Sequence, residues 1–257
     1  MLIDTHAHLI DEKYDKNRLE IIEDLQKNNM EILINPAENL DTSLKGIQLS
    51  EQWDFIFSAV GYHPHEAQHA TNEELKEIER IANNAKVVAI GEIGLDYHYD
   101  FSPREIQKDV FYKQIQIARR LKLPIIVHSR EAHLDTFTLL EENIEGLTGV
   151  LHSYSGSWEM TKRYLDLGFY ISISGPITFK NAHKLPEVAT KVPLDRLLIE
   201  TDSPYLTPVP FRGKINNPSY VKYVGEKIGQ LRNITFENLM EQVKENTLTL
   251  FPKIKKG

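Results

Sequence analysis

Val87-Val88-Ala89-Ile90-Gly91-Glu92-Ile93-Gly94-Leu95-Asp96 is an apolar run interrupted by a carboxylate between glycines. Being apolar on both faces and bounded by polar or turn-forming residues, it reads as a strand of a parallel sheet, buried on both sides. A carboxylate at the end of such a strand is costly to bury alone and calls for a cation or a metal. A helix cap or a structural ion pair would account equally for one isolated Glu. Repetition decides against those readings, because four other short apolar runs end in metal-ligand residue types. They are Leu2-Ile3-Asp4-Thr5-His6-Ala7-His8, Pro124-Ile125-Ile126-Val127-His128, Gly149-Val150-Leu151-His152 and Arg196-Leu197-Leu198-Ile199-Glu200-Thr201-Asp202. The chain is therefore expected to be organised around a metal centre with Glu92 in its middle.

Strand and helix patterns alternate along the 257 residues. The strands are expected at Leu2–His8, 31–35, 55–60, 87–92, 124–128, 149–152, 169–174 and 197–202. The helix over 15–29 should bury Leu19, Ile22 and Leu25. Asp41 is the expected cap of the next helix, and Thr71 with Glu74 forms a capping box before the Val87 strand. Ser102-Pro103-Arg104-Glu105 is a helix start, with Ser102 as its cap, Pro103 at the first position and Glu105 following, and that helix should stop near Leu121 ahead of Pro124. Ser157 caps a helix that ends at Gly168. A short or irregular helix is expected over 184–192. Pro204, Pro208 and Pro210 stiffen the stretch after Asp202, and two helices near 218–231 and 235–250 follow. Eight strands with helical or looped returns predict one domain over 1–257, a closed parallel (β/α)8 TIM barrel of α/β class. An open doubly wound sheet would carry a glycine-rich phosphate turn after its first strand, and Thr5-His6-Ala7-His8 is not one.

Charged residues make up 26% and hydrophobic residues 41%, ordinary for a soluble globular protein. No run is apolar enough to span a membrane, and a strand opening at Leu2 leaves no room for a signal peptide. Cysteine is absent, which removes disulfides and thiolate metal sites. A cytoplasmic protein is expected, with no membrane association and no obligate protein partner. The net charge of −7 argues against a general nucleic-acid coat protein, but not against a nucleic-acid enzyme with a local basic rim.

Alternation along a strand points His6 and His8 to the same side, so the pair offers two imidazoles to one ion. Asp4 lies one step deeper on that face, suited to orienting an imidazole. Glu200 and Asp202 also share a face, one as a ligand and the other as a buried partner. Barrel enzymes gather their chemistry at the C-terminal ends of the strands, where these residues fall. Six ligands exceed one tetrahedral ion, and a carboxylate can bridge two. The economical arrangement is His6, His8 and Asp202 on one metal, His128 and His152 on another, and Glu92 between. Nitrogen and oxygen donors without sulfur suit two divalent ions, Mg, Mn or Zn.

These segments, with Gly61-Tyr62-His63-Pro64-His65, His128-Ser129-Arg130, His152-Ser153-Tyr154-Ser155-Gly156, Glu200-Thr201-Asp202-Ser203-Pro204-Tyr205 and Arg212-Gly213-Lys214, resemble the TatD family of metal-dependent deoxyribonucleases among the amidohydrolase-like barrels. The resemblance covers nearly the whole chain. It implies a barrel, a divalent metal centre at His6, His8, Glu92, His128, His152 and Asp202, and hydrolysis of phosphodiester bonds in DNA. Related amidohydrolases often place a carboxylated lysine on the fourth strand, and Glu92 stands there instead.

Asp202 is the expected acceptor of the attacking water's proton, and Glu92 fixes the metals. His63, Arg130 and Arg212 are candidate substrate contacts, with Lys180, Lys214, Tyr154 and Tyr205 as further loop residues. An exonuclease-like action on single-stranded or frayed DNA ends is the leading expectation. The alternatives are hydrolysis of C–N or ester bonds in a small molecule or aminoacyl adduct, and a non-catalytic metal-binding barrel.

Overall fold

Residues 1–256 are described by the computed structural model of the chain. Its strands are β1 (Leu2–Asp4), β2 (Met30–Asn35), β3 (Ile56–Val60), β4 (Val87–Asp96), β5 (Ile125–Arg130), β6 (Gly149–Leu151), β7 (Tyr170–Ile173) and β8 (Leu197–Ile199). They are parallel and neighbour one another in chain order. The ring closes between its last and first strands. Thr5 N–H donates to the Ile199 carbonyl at 3.2 Å, Asp202 N–H to that of His6 at 2.9 Å, and His8 N–H to that of Ser203 at 2.8 Å. The helices α1 (Arg18–Lys27), α2 (Leu40–Ser50), α3 (Asn72–Ile81), α4 (Arg104–Leu121), α5 (His133–Glu142), α6 (Trp158–Asp166), α7 (Leu185–Lys191), α8 (Val221–Arg232) and α9 (Phe236–Leu250) wrap the strands. This is the expected TIM barrel, and both faces of its central strands are buried in one apolar core.

β4 differs most from its sequence reading. It does not stop at Glu92 but runs on to Asp96, buried throughout. The pairing with β5 slips between Ile90 and Ile93, a bulge that turns Glu92 inward and then resumes the ladder. Glycine makes the slip possible. Gly94 has φ of +144°, and a Cβ there would lie 2.0 Å from the His128 carbonyl oxygen; one at Gly91 would lie 2.7 Å from Cβ of Ile126. Gly94→Ala should therefore cost about 3 kcal/mol, because backbone rather than a movable side chain stands in the way. Urea unfolding measures this, and an unchanged midpoint would show that the strand relaxes freely.

Other boundaries moved for local reasons. β1 and β8 end at Asp4 and Ile199, so His6, His8, Glu200 and Asp202 stand in the segments just beyond the ladders. Leu19 is 60% exposed, and Ile21 takes its expected place beside Ile22 and Leu25. The Arg18 guanidinium donates to the carbonyls of Leu9 and Ile10, which fixes the rotation of α1. Asn39, not Asp41, caps α2, accepting the Thr42 N–H. Ser102 does not cap α4; its hydroxyl donates to the His65 carbonyl and accepts the Gln68 N–H. The Thr71–Glu74 capping box, the Ser157 cap and the stop of α4 at Leu121 stand as read. Among the described residues no helix is long and apolar enough to cross a membrane.

Candidate metal centre

His6, His8, Glu92, His128, His152 and Asp202, expected as ligands, converge at the C-terminal end of the barrel. Nε2 of His6 and Nε2 of His8 lie 3.1 Å apart. They are 3.2 and 3.4 Å from Glu92 Oε2, and each is 3.6 Å from Asp202 Oδ1. The other Glu92 oxygen, Oε1, lies 2.8 Å from His128 Nδ1 and 2.7 Å from His152 Nε2, and those two nitrogens are 3.1 Å apart. One carboxylate thus serves a set of side chains on each side. The division is not complete, because the His152 ring stacks on that of His6 at 3.9 Å.

The outer nitrogens explain why these rings are held. His128 Nε2 lies 3.0 Å from Asp96 Oδ2, and His152 Nδ1 lies 3.2 Å from Glu200 Oε1. Glu200 is therefore the buried partner of a histidine, as one of its two expected roles required. Asp4 does not orient an imidazole. Its carboxylate accepts the His6 N–H and both the N–H and hydroxyl of Thr201, because the chain turns after Asp4 toward the barrel seam. His6 Nδ1 is buried with no hydrogen-bond partner.

Electrostatics tie the cluster together. Burial opposes ionisation of Glu92, yet His152, His6 and His63 beside it hold its carboxyl well below the usual range. Burial likewise opposes the His152 cation, but Glu92 and Glu200 raise it well above an ordinary histidine. His8 is pushed up to about 9 by Asp202 and Glu92 against its burial, and burial lowers His63 to about 3. Burial of Asp4 raises it to about 8.

His128 and His152 each have a carboxylate oxygen at both ring nitrogens. A neutral imidazole has one N–H, so the outer carboxylate takes it and the inner lone pair faces Glu92. That contact repels unless a proton or a metal cation lies between. The His6–His8–Glu92, His6–His152–Asp202 and His63–Glu92–His128 groups each bring ligand atoms within 4.8 Å of one another. Imidazole and carboxylate donors without sulfur fit divalent ions of the zinc, manganese or magnesium kind.

A cavity of about 630 Å³ opens onto this cluster. His63 and Arg130 border it, and the Arg130 guanidinium lies over the Tyr99 ring. Arg212 is not among the bordering residues; its guanidinium sits 3.9 Å above Phe179, on the outer part of the proline-rich loop. Tyr154 is buried in the wall, and its hydroxyl donates to the Ser157 carbonyl. Tyr205 borders the cavity with its hydroxyl on Asp11.

Asp96 and Glu38 received no role from sequence. Glu38 borders the cavity, and burial raises its pKa. Nothing in its own segment marks it. Asp96 was legible in principle, since it ends the same strand four residues after Glu92. Its Oδ1 accepts the N–H groups of His98 and Tyr99 while Oδ2 faces His128 and His65. Asp96→Asn keeps an oxygen for the backbone but offers an amide donor to two imidazoles. Calorimetric titration should show metal affinity reduced about 10- to 100-fold, with little change in fold.

The family model described as TatD related DNase matches residues 3–252. The uncharacterized metal-dependent hydrolase YabD of Bacillus subtilis (strain 168) is 47% identical, over 98% of this chain and 99% of its own. The 3'-5' ssDNA/RNA exonuclease TatD of Salmonella typhimurium is 31% identical, over 97% and 98%. Among solved structures, YJJV, a TatD homolog from Escherichia coli K12, superposes with a TM-score of 0.92 at 30% identity, over 98% of each chain.

Proposed function

The chain belongs to the TatD-related DNase family of metal-dependent hydrolases, and from that premise we propose that it hydrolyses phosphodiester bonds of DNA, working inward from single-stranded or frayed ends with two divalent ions. The observation that carries this reading is the position of Glu92, with Oε2 toward His6 and His8 and Oε1 toward His128 and His152. In this reading His6, His8 and Asp202 would hold one ion and His128 and His152 the other, with Glu92 between the two sets. Bound divalent ions supply charge for the phosphoryl oxygens and lower the pKa of a water. Asp202 borders the cavity, and its carboxylate would accept a proton from the attacking water. Asp96 and Glu200 hold the His128 and His152 rings so that their inner nitrogens face the centre. A cavity of about 630 Å³ suits one or two terminal nucleotides and is too small for a duplex.

End-labelled single- and double-stranded DNA, RNA and aryl esters, each with Mg, Mn or Zn added to stripped protein, test the reading. Progressive shortening of single-stranded DNA supports it. Hydrolysis of the esters with no cutting of nucleic acid removes it in favour of ester or C–N chemistry.

Salt dependence gives a second measure. Arg130 is the one Arg or Lys among the described residues bordering the cavity, and the net charge of the chain is −7. Two or three phosphate contacts, at about 0.7 each for single strands, predict a slope near 2 for binding to Ca-loaded protein. A slope of about 6 or more, or ready cutting of closed circular duplex, would mean that the chain grips a long stretch of backbone.

A further inference from the structure

His63 stands where β3 gives way to the short 3-10 turn Pro64–His69. Its spacing to Glu92 and His128 is that of a metal ligand. Its hydrogen bonding says otherwise. Nδ1 accepts the backbone N–H of His65 at 3.1 Å, capping the turn. A neutral imidazole has one lone-pair nitrogen and one N–H, so the proton resides on Nε2, and that atom has no lone pair for an ion. Rotation is restrained by edge-on packing against His65 at 4.3 Å and His128 at 4.6 Å. Nε2 is directed at the centre, 3.4 Å from Glu92 Oε1. That is long for a hydrogen bond to a carboxylate, which prefers about 2.7–2.9 Å. The N–H is thus fixed in direction, borders the cavity and has room for a better acceptor.

We propose that His63 is a fixed, neutral N–H donor which holds a non-bridging oxygen of the substrate phosphate beside the metal centre, and is not itself a metal ligand. The proposal rests on the phosphodiesterase reading for the identity of the oxygen, though not for the tautomer. A neutral donor suits this place better than a cation, since a charge there would be buried against His128 and would compete with bound ions.

Two substitutions separate the two ends of the ring. In His63→Asn the side-chain oxygen can still cap His65, but nothing reaches the position of Nε2. In His63→Gln the amide nitrogen reaches that position and the cap is lost. Metal content of dialysed protein, calorimetric titration of the metal-loaded protein with inorganic phosphate, and 15N shifts of the His63 ring form the readout. His63→Asn should keep the wild-type metal content and melting temperature and bind phosphate about 10- to 100-fold more weakly, the worth of one hydrogen bond to a charged group. His63→Gln should regain most of that loss. The ring should show a protonated Nε2 and an unprotonated Nδ1 in wild type, a result that needs no variant to fold. Loss of one metal in His63→Asn, unchanged phosphate affinity in that variant, or a protonated Nδ1 would each overturn the assignment. Absence of phosphate binding by wild type would instead overturn the phosphodiesterase reading and the substrate half of this proposal; the metal and 15N measurements would still decide donor against ligand.

Discussion

Glu92→Gln should strip the centre and leave the barrel standing. Glu92 is 2% exposed and, among the described residues, is the one side chain that faces the His6–His8 pair with one oxygen and the His128–His152 pair with the other. Glutamine has nearly the same shape. It removes the negative charge and replaces one oxygen with an amide that donates toward imidazole nitrogens. Bound metal should fall from about two per chain toward zero, whereas His128→Ala, which removes a ligand on one side, should leave about one. Hydrolysis should drop by about 10³-fold or more, since several kcal/mol of charge stabilisation leave with the ions. Metal analysis of dialysed protein, set beside initial rates at saturating metal, checks both parts. Full occupancy in Glu92→Gln would take Glu92 out of the centre.

Asp202→Asn should separate chemistry from structure more sharply than any other change. Asp202 has φ of +58°, a conformation that asparagine tolerates as well as aspartate, so the backbone is not strained. Its N–H bond to the His6 carbonyl is untouched. The amide retains one oxygen toward His6 and His8 but accepts a proton poorly. Burial works against the carboxylate, and His8, His152 and His6 nevertheless hold its pKa below the usual range, so it is ionised at neutral pH. Loss of a general base costs about 10²- to 10⁴-fold. The rate should fall within that range with the melting temperature near wild type. Wild-type turnover would hand the proton to another group, of which Glu200 is the nearest in sequence.

Residues that end strands were the legible part of this chain. His6, His8, Glu92, His128, His152 and Asp202 each follow a short apolar run, and the barrel topology gathers the ends of such runs. What supports those residues was harder to read, because it depends on register and torsion. The slip at Ile90–Ile93 decides that Glu92 faces inward and Asp96 reaches His128, and only the paired strand makes it visible. Asp4 was assigned to an imidazole by strand alternation, a rule that lapses where the ladder ends. Arg212 was grouped with the site by its place in a loop, but the loop's path puts it on Phe179. Leu19 and Asp41 failed for a similar reason, since helix rotation and the first turn are set by contacts outside the helix's own periodicity.

The seam between β1 and β8 joins parts of the chain that the ribosome makes far apart in time. The Thr201 hydroxyl donates to Asp4 across 197 residues of sequence, beside the bond from Asp202 N–H to the His6 carbonyl. At about 5–20 residues per second, the segment bearing His6 and His8 waits about 10–40 s for its partner to be made. The bonds that shut the barrel and the side chains that arm it arrive together. A nascent chain that has not reached Asp202, or one broken before it, has neither a closed ring nor a complete centre. For a metal-dependent hydrolase, this order of assembly means that closure of the fold and completion of the ligand cluster are one event.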